Sequence, residues 1–210
     1  MDTLRISQIQ HSSFAEGPRC NTTVWLAGCS IRCPGCFNPE LWNPDAGHPE
    51  GIQALLNSIS EGIAKGDNGL ALVGGEPFDQ VAGLTALLTA FNDAFPEVPV
   101  TLYSGYSIET LLAVDENRTL LDLADVLVDG PFLLEREQED LGYRGSRNQR
   151  VIDLVRSRAS RYTELHLHNW DNLIAFLPDG SLAGAAPMLS MFAVDEAAEC
   201  GLHMNPKEGV

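Results

Sequence analysis

The chain has 210 residues, a length that predicts about one domain with an appended module. Its 29 acidic and 13 basic residues give a formal net charge of −16, which argues against a protein that binds nucleic acid through phosphate contacts. Because it has no apolar run long enough to cross a bilayer and no N-terminal basic segment followed by an apolar stretch, we expect a cytoplasmic protein without a membrane span.

Short apolar segments alternate with amphipathic segments along most of the chain. The predicted buried parallel strands are 4–8, 22–27, 70–73, 98–103 and 124–128, and helical spacing of apolar residues marks 49–64 and 81–95. Such alternation implies right-handed crossovers and a parallel sheet. The units are too few for eight, so we predict an α/β fold with an incomplete (β/α) barrel of parallel strands.

The chain changes character near residue 160. Residues 162–168 alternate like a strand, 173–182 predict a hairpin that turns at 178–181, and 185–202 predict a closing helix. We therefore divide the chain into a partial barrel at 1–158 and a small C-terminal α+β extension at 159–210. The role of the extension does not follow from its sequence.

Three of the five cysteines lie close together, at Cys29, Cys33 and Cys36. In a reducing compartment, a C-x3-C-x2-C loop bent by glycine and proline favours a metal centre. Three cysteines can hold an iron–sulfur cube and leave one iron open, whereas zinc requires a fourth ligand, for which His48 is the candidate. We favour the iron–sulfur cluster, because zinc leaves the motifs further along the chain unexplained.

Two further segments follow predicted strands. Gly-Gly-Glu-Pro, residues 74–77, follows strand 70–73, and Ser104 to Tyr106 follow strand 98–103. The carboxyl ends of parallel strands meet at one edge of a sheet, so these segments and the cysteine loop are expected to face one place. Gly-Gly-Glu-Pro by itself is an ordinary turn signal, and so is Asp129-Gly130.

These motifs together resemble the radical S-adenosylmethionine superfamily. Residues 33–39, 129–132 and 144–149 resemble, more narrowly, the activating proteins of anaerobic ribonucleotide reductase and, more loosely, other glycyl radical enzyme activases. The resemblance covers roughly residues 3–155. In many superfamily members an aromatic residue precedes the third cysteine, whereas here Gly35 does and Phe37 follows, as it does in the activases.

The resemblance implies a [4Fe-4S] cluster held by Cys29, Cys33 and Cys36, whose open iron chelates the amino and carboxylate groups of S-adenosylmethionine. The glycines would let the backbone approach this cofactor, and the Glu76 carboxylate would accept from its ammonium group. No catalytic side chain is predicted beyond the cluster ligands. The residues expected to bind the cofactor are Phe37, Gly74, Gly75, Glu76, Pro77, Ser104, Asp129 and Arg147.

Arginines are concentrated in residues 144–161, which hold six of them and one acidic residue, Asp153. Guanidinium groups suit carboxylates and phosphates, so this segment would bind the cofactor carboxylate, an acidic partner protein or a phosphorylated substrate. The alternative is a counter-charge for the acidic run at 135–140. Arg147 lies in the part that resembles the family, and we predict that its loss weakens binding of S-adenosylmethionine or of the partner.

The sequence leaves two enzymatic hypotheses. In the first, an external one-electron reductant drives cleavage of S-adenosylmethionine, and the radical abstracts hydrogen from a glycine of a reductase partner. In the second, the same radical acts on a small molecule or peptide, with residues 160–210 as a lid over the substrate. A third hypothesis, an electron-transfer or structural zinc module, explains the cysteines but not residues 74–77.

Overall fold

The computed structural model describes residues 3–138, 141–168, 175–176 and 182–183. The strands are β1 (Thr3–Ser13), β2 (Asn21–Leu26), β3 (His48–Gly51), β4 (Gly69–Gly74), β5 (Val100–Tyr103), β6 (Val126–Asp129), β7 (Arg150–Asp153), β8 (His166–Leu167), β9 (Ala175–Phe176) and β10 (Leu182–Ala183). The α-helices are α1 (Ile52–Ala64), α2 (Val81–Ala94), α3 (Ile108–Leu111), α4 (Asp115–Leu121) and α5 (Leu154–Ala159). None of these helices is long and apolar enough to cross a membrane.

A mixed eight-stranded sheet organises the chain, in the order β3-β1-β2-β4-β5-β6-β7-β8. Strands β2, β4, β5 and β6 are parallel, which confirms the α/β class and the parallel centre of the sheet. Strands β1, β3, β7 and β8 extend the sheet on both sides in antiparallel fashion. The described strands end in two different edges, β3 and β8, and do not close into a barrel, so the incomplete barrel stays a prediction.

The prediction that residues 4–8 form a parallel strand was wrong. Strand β1 pairs antiparallel with both β2 and β3. The physical reason is the short connection of residues 14–20, because a parallel crossover needs a dozen or more residues. The predicted helix at 49–64 also begins later, since residues 49–51 belong to the edge strand β3, where a proline such as Pro49 is tolerated.

One face of the sheet is covered by helices and holds the main core. Alternate strand residues such as Leu26, Leu72 and Leu102 are fully buried against helix residues such as Ile59 and Leu88. Side chains of opposite parity point to the other face. There, Trp25, Val73 and Tyr103 line a cavity at the carboxyl ends of the parallel strands.

The C-terminal predictions were correct in part. Strand β8 is limited to His166–Leu167, because Arg161 and Tyr162 adopt positive φ angles in a turn that follows α5. Strand β8 pairs with β7, so residues beyond 158 extend the main sheet. The predicted hairpin is confirmed by the antiparallel pairing of β9 with β10, in which residue 176 is the register partner of residue 182. The predicted turn at 178–181 and the helix at 185–202 lie outside the described residues.

Candidate active site

The cysteine loop leaves β2 and is tied down by the segment that follows it. The Gly28 and Cys29 amides donate to the carbonyls of Leu41 and Trp42, at 2.8 and 3.2 Å. Gly28 has a φ of 98° and Gly35 has a φ of 79°, values that favour glycine. The loop therefore needs these glycines to turn twice within a few residues and to bring its thiols to one side.

The thiols of Cys29, Cys33 and Cys36 are free and half-buried, and all three line one cavity of about 620 Å³. Burial raises the pKa of Cys29 and of Cys33, while backbone amides near each sulfur act in the opposite direction. The Asn38 amide donates to the Cys36 Sγ at 3.4 Å. Backbone donors around the sulfurs and three converging thiols are what an iron–sulfur cluster requires.

The alternative of a zinc site with His48 does not fit this geometry. His48 is exposed, lies 3.7 Å from Glu50 and does not line the cavity. Within the described part of the chain, no group of three histidine, cysteine, aspartate or glutamate side chains is close enough to hold a single ion. Zinc needs its ligands at one point, whereas a cluster places each thiolate on its own iron. The arrangement therefore fits a cluster better than a single ion.

Gly74 and Gly75 bring the loop after β4 against the cysteine loop. The Gly75 amide donates to the Leu26 carbonyl and the Glu76 amide donates to the Gly28 carbonyl, both at 2.8 Å. A Cβ at Gly74 would lie 2.6 Å from the Leu26 carbonyl oxygen, and one at Gly75 would lie 2.1 Å from that of Gly28. Gly74 is thus required by the contact between the ends of β4 and β2, and Gly75 by the contact with the cysteine loop, a reason that the sequence did not indicate.

The Glu76 carboxylate connects the loops after β4 and β5. It is 1% exposed; its Oε1 accepts from the Phe78 amide at 3.0 Å and from the Ser104 hydroxyl at 2.9 Å, and its Oε2 accepts from the Gly105 amide at 2.8 Å. Burial raises the pKa of Glu76 to about 7 despite these three donors. No lysine, arginine or histidine of the described chain forms an ion pair with it.

The structure brings most of the predicted site residues together and leaves three outside the cavity. Those that line it are Cys29, Cys33, Cys36, Phe37, Gly74, Gly75, Glu76 and Ser104. Phe37 is 65% exposed at the rim, and its ring packs 5.0 Å from that of Phe132. Pro77 starts a 3-10 turn, Asp129 is buried against Arg150, and exposed Arg147 contacts Gln138, so none of these three lines the cavity.

The cavity is also lined by residues that sequence reasoning missed. They include Glu16, Trp25, Tyr103 and Tyr143. For Trp25 and Tyr103 the signal was available, because each alternates with core residues along its strand. Glu16 is buried and accepts from the Ser13 and Thr23 hydroxyls at 2.6 and 2.9 Å. No sequence pattern predicted these contacts.

The six clustered arginines have different surroundings. Arg144 lines the cavity, and the other five, all within the described residues, do not. Arg150 pairs with Asp129 and Glu109, and Arg158 pairs with Asp122. These three carboxylates lie outside the acidic run at 135–140, the alternative partner considered for the cluster. Arg144 therefore becomes the stronger candidate for an anionic ligand inside the cavity.

Comparisons with known proteins agree with this arrangement. The family described as 4Fe-4S single cluster domain matches residues 15–152, a range that contains every residue lining the cavity. The chain is 34% identical over 140 residues to the anaerobic ribonucleoside-triphosphate reductase-activating protein of Vibrio cholerae, covering 64% of this chain and 88% of that protein. A protein of the same description from Salmonella typhimurium is 31% identical over 159 residues, covering 72% of this chain and 99% of that protein. One from Enterobacteria phage T4 is 28% identical over 156 residues, covering 70% of this chain and 93% of that protein.

Proposed function

The chain belongs to the radical S-adenosylmethionine family of anaerobic ribonucleoside-triphosphate reductase-activating proteins, and we propose that it generates a glycyl radical in such a reductase. The enzyme is an oxidoreductase with a 4Fe-4S cluster domain. The observation that carries the proposal is the convergence of three free thiols and the Glu76 loop on one cavity at the carboxyl ends of the parallel strands.

Cys29, Cys33 and Cys36 are proposed to hold a [4Fe-4S] cluster through three of its irons. Three thiolate ligands would leave one iron available to the amino and carboxylate groups of S-adenosylmethionine. When bound, the cluster supplies one electron, received from an external reductant, that breaks a carbon–sulfur bond of the sulfonium. The three half-buried thiols and the backbone amides beside them support this ligand set.

Glu76 is proposed to accept a hydrogen bond from the amino group of S-adenosylmethionine. A carboxylate has about four acceptor sites, of which three are occupied by Phe78, Ser104 and Gly105, so one is left for a further donor. Hydrogen bonds donated by an amino group favour the ionised form of a carboxyl group. Because the pKa of Glu76 is about 7, binding of S-adenosylmethionine is expected to shift this carboxyl group toward its ionised form near neutral pH.

The remaining predicted contacts have different support. Phe37 at the rim offers an aromatic face to the adenine, and the Ser104 hydroxyl lies at the cavity wall beside Glu76. The Arg144 guanidinium is the cavity group suited to the methionine carboxylate. Exposed Arg147 is proposed to contact the partner protein instead. Asp129 and Pro77 support the loops that surround the cavity.

The hydrogen donor is proposed to be a backbone glycine on a loop of the reductase. The cavity, with a volume of about 620 Å³, is in the size range of small-molecule sites and is expected to be filled largely by the cofactor. A loop of the reductase would therefore approach from the rim of the cavity, beside Phe37. The alternative, a small-molecule or peptide substrate under a lid of residues 160–210, has less support. The described part of that segment, residues 160–168, does not line the cavity.

Anaerobic reconstitution tests the proposal. The purified chain should bind about four irons and, with a reductant, convert S-adenosylmethionine to 5′-deoxyadenosine and methionine. Addition of the anaerobic reductase from the same source should give the electron paramagnetic resonance doublet of a glycyl radical. Cleavage without that doublet would favour the small-molecule hypothesis. Tight stoichiometric zinc without cleavage would contradict the proposal.

A further inference from the structure

An ionic cluster outside the cavity joins three elements of the fold. Arg150, the first residue of β7, donates from Nη1 and Nη2 to both carboxylate oxygens of Glu109 in α3, each at 2.9 Å. Its Nε also donates at 2.9 Å to the Asp129 Oδ1 at the end of β6, and its Nη2 contacts the Asp129 Oδ2. Asp129 is 1% exposed, so a cation is needed to balance its buried charge.

This cluster holds the loop between β5 and α3, residues 104–107. The Asp129 Oδ2 accepts from the Ile108 amide at 2.8 Å, at the point where α3 begins. The Gly130 amide, next along the chain, donates to the Tyr106 carbonyl at 3.1 Å. Arg150 therefore fixes one end of the 104–107 loop through Asp129 and, through Glu109, the helix that follows it.

The other side of the 104–107 loop contacts both loops of the candidate site. The Ser104 hydroxyl and the Gly105 amide donate to Glu76 at 2.9 and 2.8 Å. The Tyr106 hydroxyl lies 2.9 Å from the hydroxyl of Ser30, which is in the cysteine loop. A displacement of residues 104–107 would thus move the Glu76 carboxylate and one contact of the cysteine loop together.

We infer that Arg150 is a positioning residue, which sets the Glu76 carboxylate and the cysteine loop through the 104–107 loop without touching the cavity. Neither Arg150 nor Asp129 lines the cavity, and each Asp129 oxygen already accepts from Arg150, with the Ile108 amide as a further donor to Oδ2. The inference rests on the proposed S-adenosylmethionine site at Glu76. It assigns Asp129 to the support of that site.

The test is the Arg150→Gln variant of the reconstituted, iron-loaded protein. We expect its dissociation constant for S-adenosylmethionine, measured by calorimetry without reductant, to rise about 10- to 100-fold, as for other residues that orient a ligating group. In turnover, KM for S-adenosylmethionine should rise more than kcat falls. Iron content should be unchanged, because the three cysteines remain.

Arg158→Gln is the matched control for lost stability. Arg158 is about as exposed as Arg150, at 36% against 32% of the side chain, and also pairs with an aspartate. Its Nη2 donates to the Leu121 and Ala124 carbonyls and makes no contact with residues 104–107. Both variants should unfold at a lower temperature, whereas only Arg150→Gln should lose affinity.

The outcomes distinguish failure of the positioning role of Arg150 from failure of the proposed function. Wild-type protein that binds S-adenosylmethionine, together with an Arg150→Gln variant of equal affinity, overturns the positioning role alone. Iron-loaded wild-type protein that does not bind S-adenosylmethionine overturns the proposed function as well. If Arg150→Gln fails to fold, Glu109→Gln replaces it, since Glu109 is 59% exposed and the Asp129 pair survives. That variant should lose affinity by about threefold to tenfold, and unchanged affinity would overturn the inference.

Discussion

The two ends of the parallel sheet each contain a buried carboxylate that joins neighbouring segments, but the two carboxylates differ in their partners. At the amino end, Asp67 is closed from solvent and accepts from the amide and hydroxyl of Ser12 and from the hydroxyl of Thr22, with His11 at 3.6 Å. At the carboxyl end, Glu76 has hydrogen-bond donors but no ion-pair partner within the described chain, and it borders the cavity.

The difference separates a structural carboxylate from one available to a ligand. Asp67 does not line the cavity. Its neighbours pack closely around the carboxylate, since a Cβ at Gly62 would lie 2.6 Å from the Asp67 Oδ2. Burial raises the pKa of Glu76 to about 7, and no cationic side chain of the described residues forms an ion pair that would offset this. A cationic ligand supplies that balance, which is why the same kind of residue is expected to bind at one end and to stabilise at the other.

The largest expected effect comes from removing a thiol at the carboxyl end. Cys33→Ala should abolish iron binding and cleavage of S-adenosylmethionine, since two thiolates cannot hold the cluster. Cys20→Ala is the control, because Cys20 immediately precedes β2 at the amino end of the parallel sheet and does not line the cavity. Iron analysis after reconstitution measures both. Iron loss in the Cys20 variant, or retention in the Cys33 variant, would contradict the ligand assignment.

The second effect concerns contact between the site loops. Gly75→Ala places a methyl group 2.1 Å from the Gly28 carbonyl oxygen and should destabilise the fold by about 3 kcal/mol. Gly51→Ala is the matched control, since its Cβ meets nothing within 4 Å, and it should change stability by less than about 0.5 kcal/mol. Urea unfolding compares them. Equal stability of the two variants would show that the loops separate easily.

Asp67→Asn tests the amino end of the comparison. An amide nitrogen would face donors that the carboxylate now accepts from, so we expect a loss of roughly 2 kcal/mol in unfolding free energy. The affinity of the iron-loaded protein for S-adenosylmethionine should stay within twofold of wild type. A large loss of affinity without loss of stability would mean that the two ends do not have separate roles.

Glu76→Gln tests the carboxyl end through pH. The folded protein has a Glu76 pKa of about 7, above the ordinary 4.5, so folding favours the protonated form. The stability contributed by this group therefore decreases as the pH rises from about 4.5 to 7, and changes little above that range. Wild-type protein should lose stability relative to Glu76→Gln across this window in urea unfolding. Parallel pH profiles would show that Glu76 is already ionised in the folded protein.

The smallest expected effect compares two neighbouring arginines. Arg144→Gln should weaken S-adenosylmethionine binding about tenfold, because this guanidinium lines the cavity. Arg147→Gln should leave that affinity nearly unchanged and weaken binding of the reductase, since Arg147 is exposed outside the cavity. Calorimetry with each ligand separates the two residues. The reverse pattern would return the cofactor carboxylate to Arg147.

The sequence predicted the part of the site that depends on strand ends. The cysteine loop, Gly74–Glu76 and Ser104 each follow a parallel strand, and parallel strands end at one edge of a sheet, so their convergence was predictable from spacing. The antiparallel direction of β1 was also within reach, because the connection of residues 14–20 is short. Periodicity alone does not give strand direction.

The tertiary structure decided the contacts between residues far apart in the chain. Asp129 reads as a turn signal or a ligand contact until Arg150 and Glu109 are placed beside it. From the sequence, Gly74 and Gly75 could equally be required by a ligand or by a neighbouring backbone segment. Only the positions of Leu26 and Gly28 in the fold show that the backbone is the reason. Residue type and spacing thus determined which chemistry the chain carries. Which residues contact each other was decided by packing. Contacts between residues far apart in the chain leave no periodic pattern in the sequence from which they could be predicted.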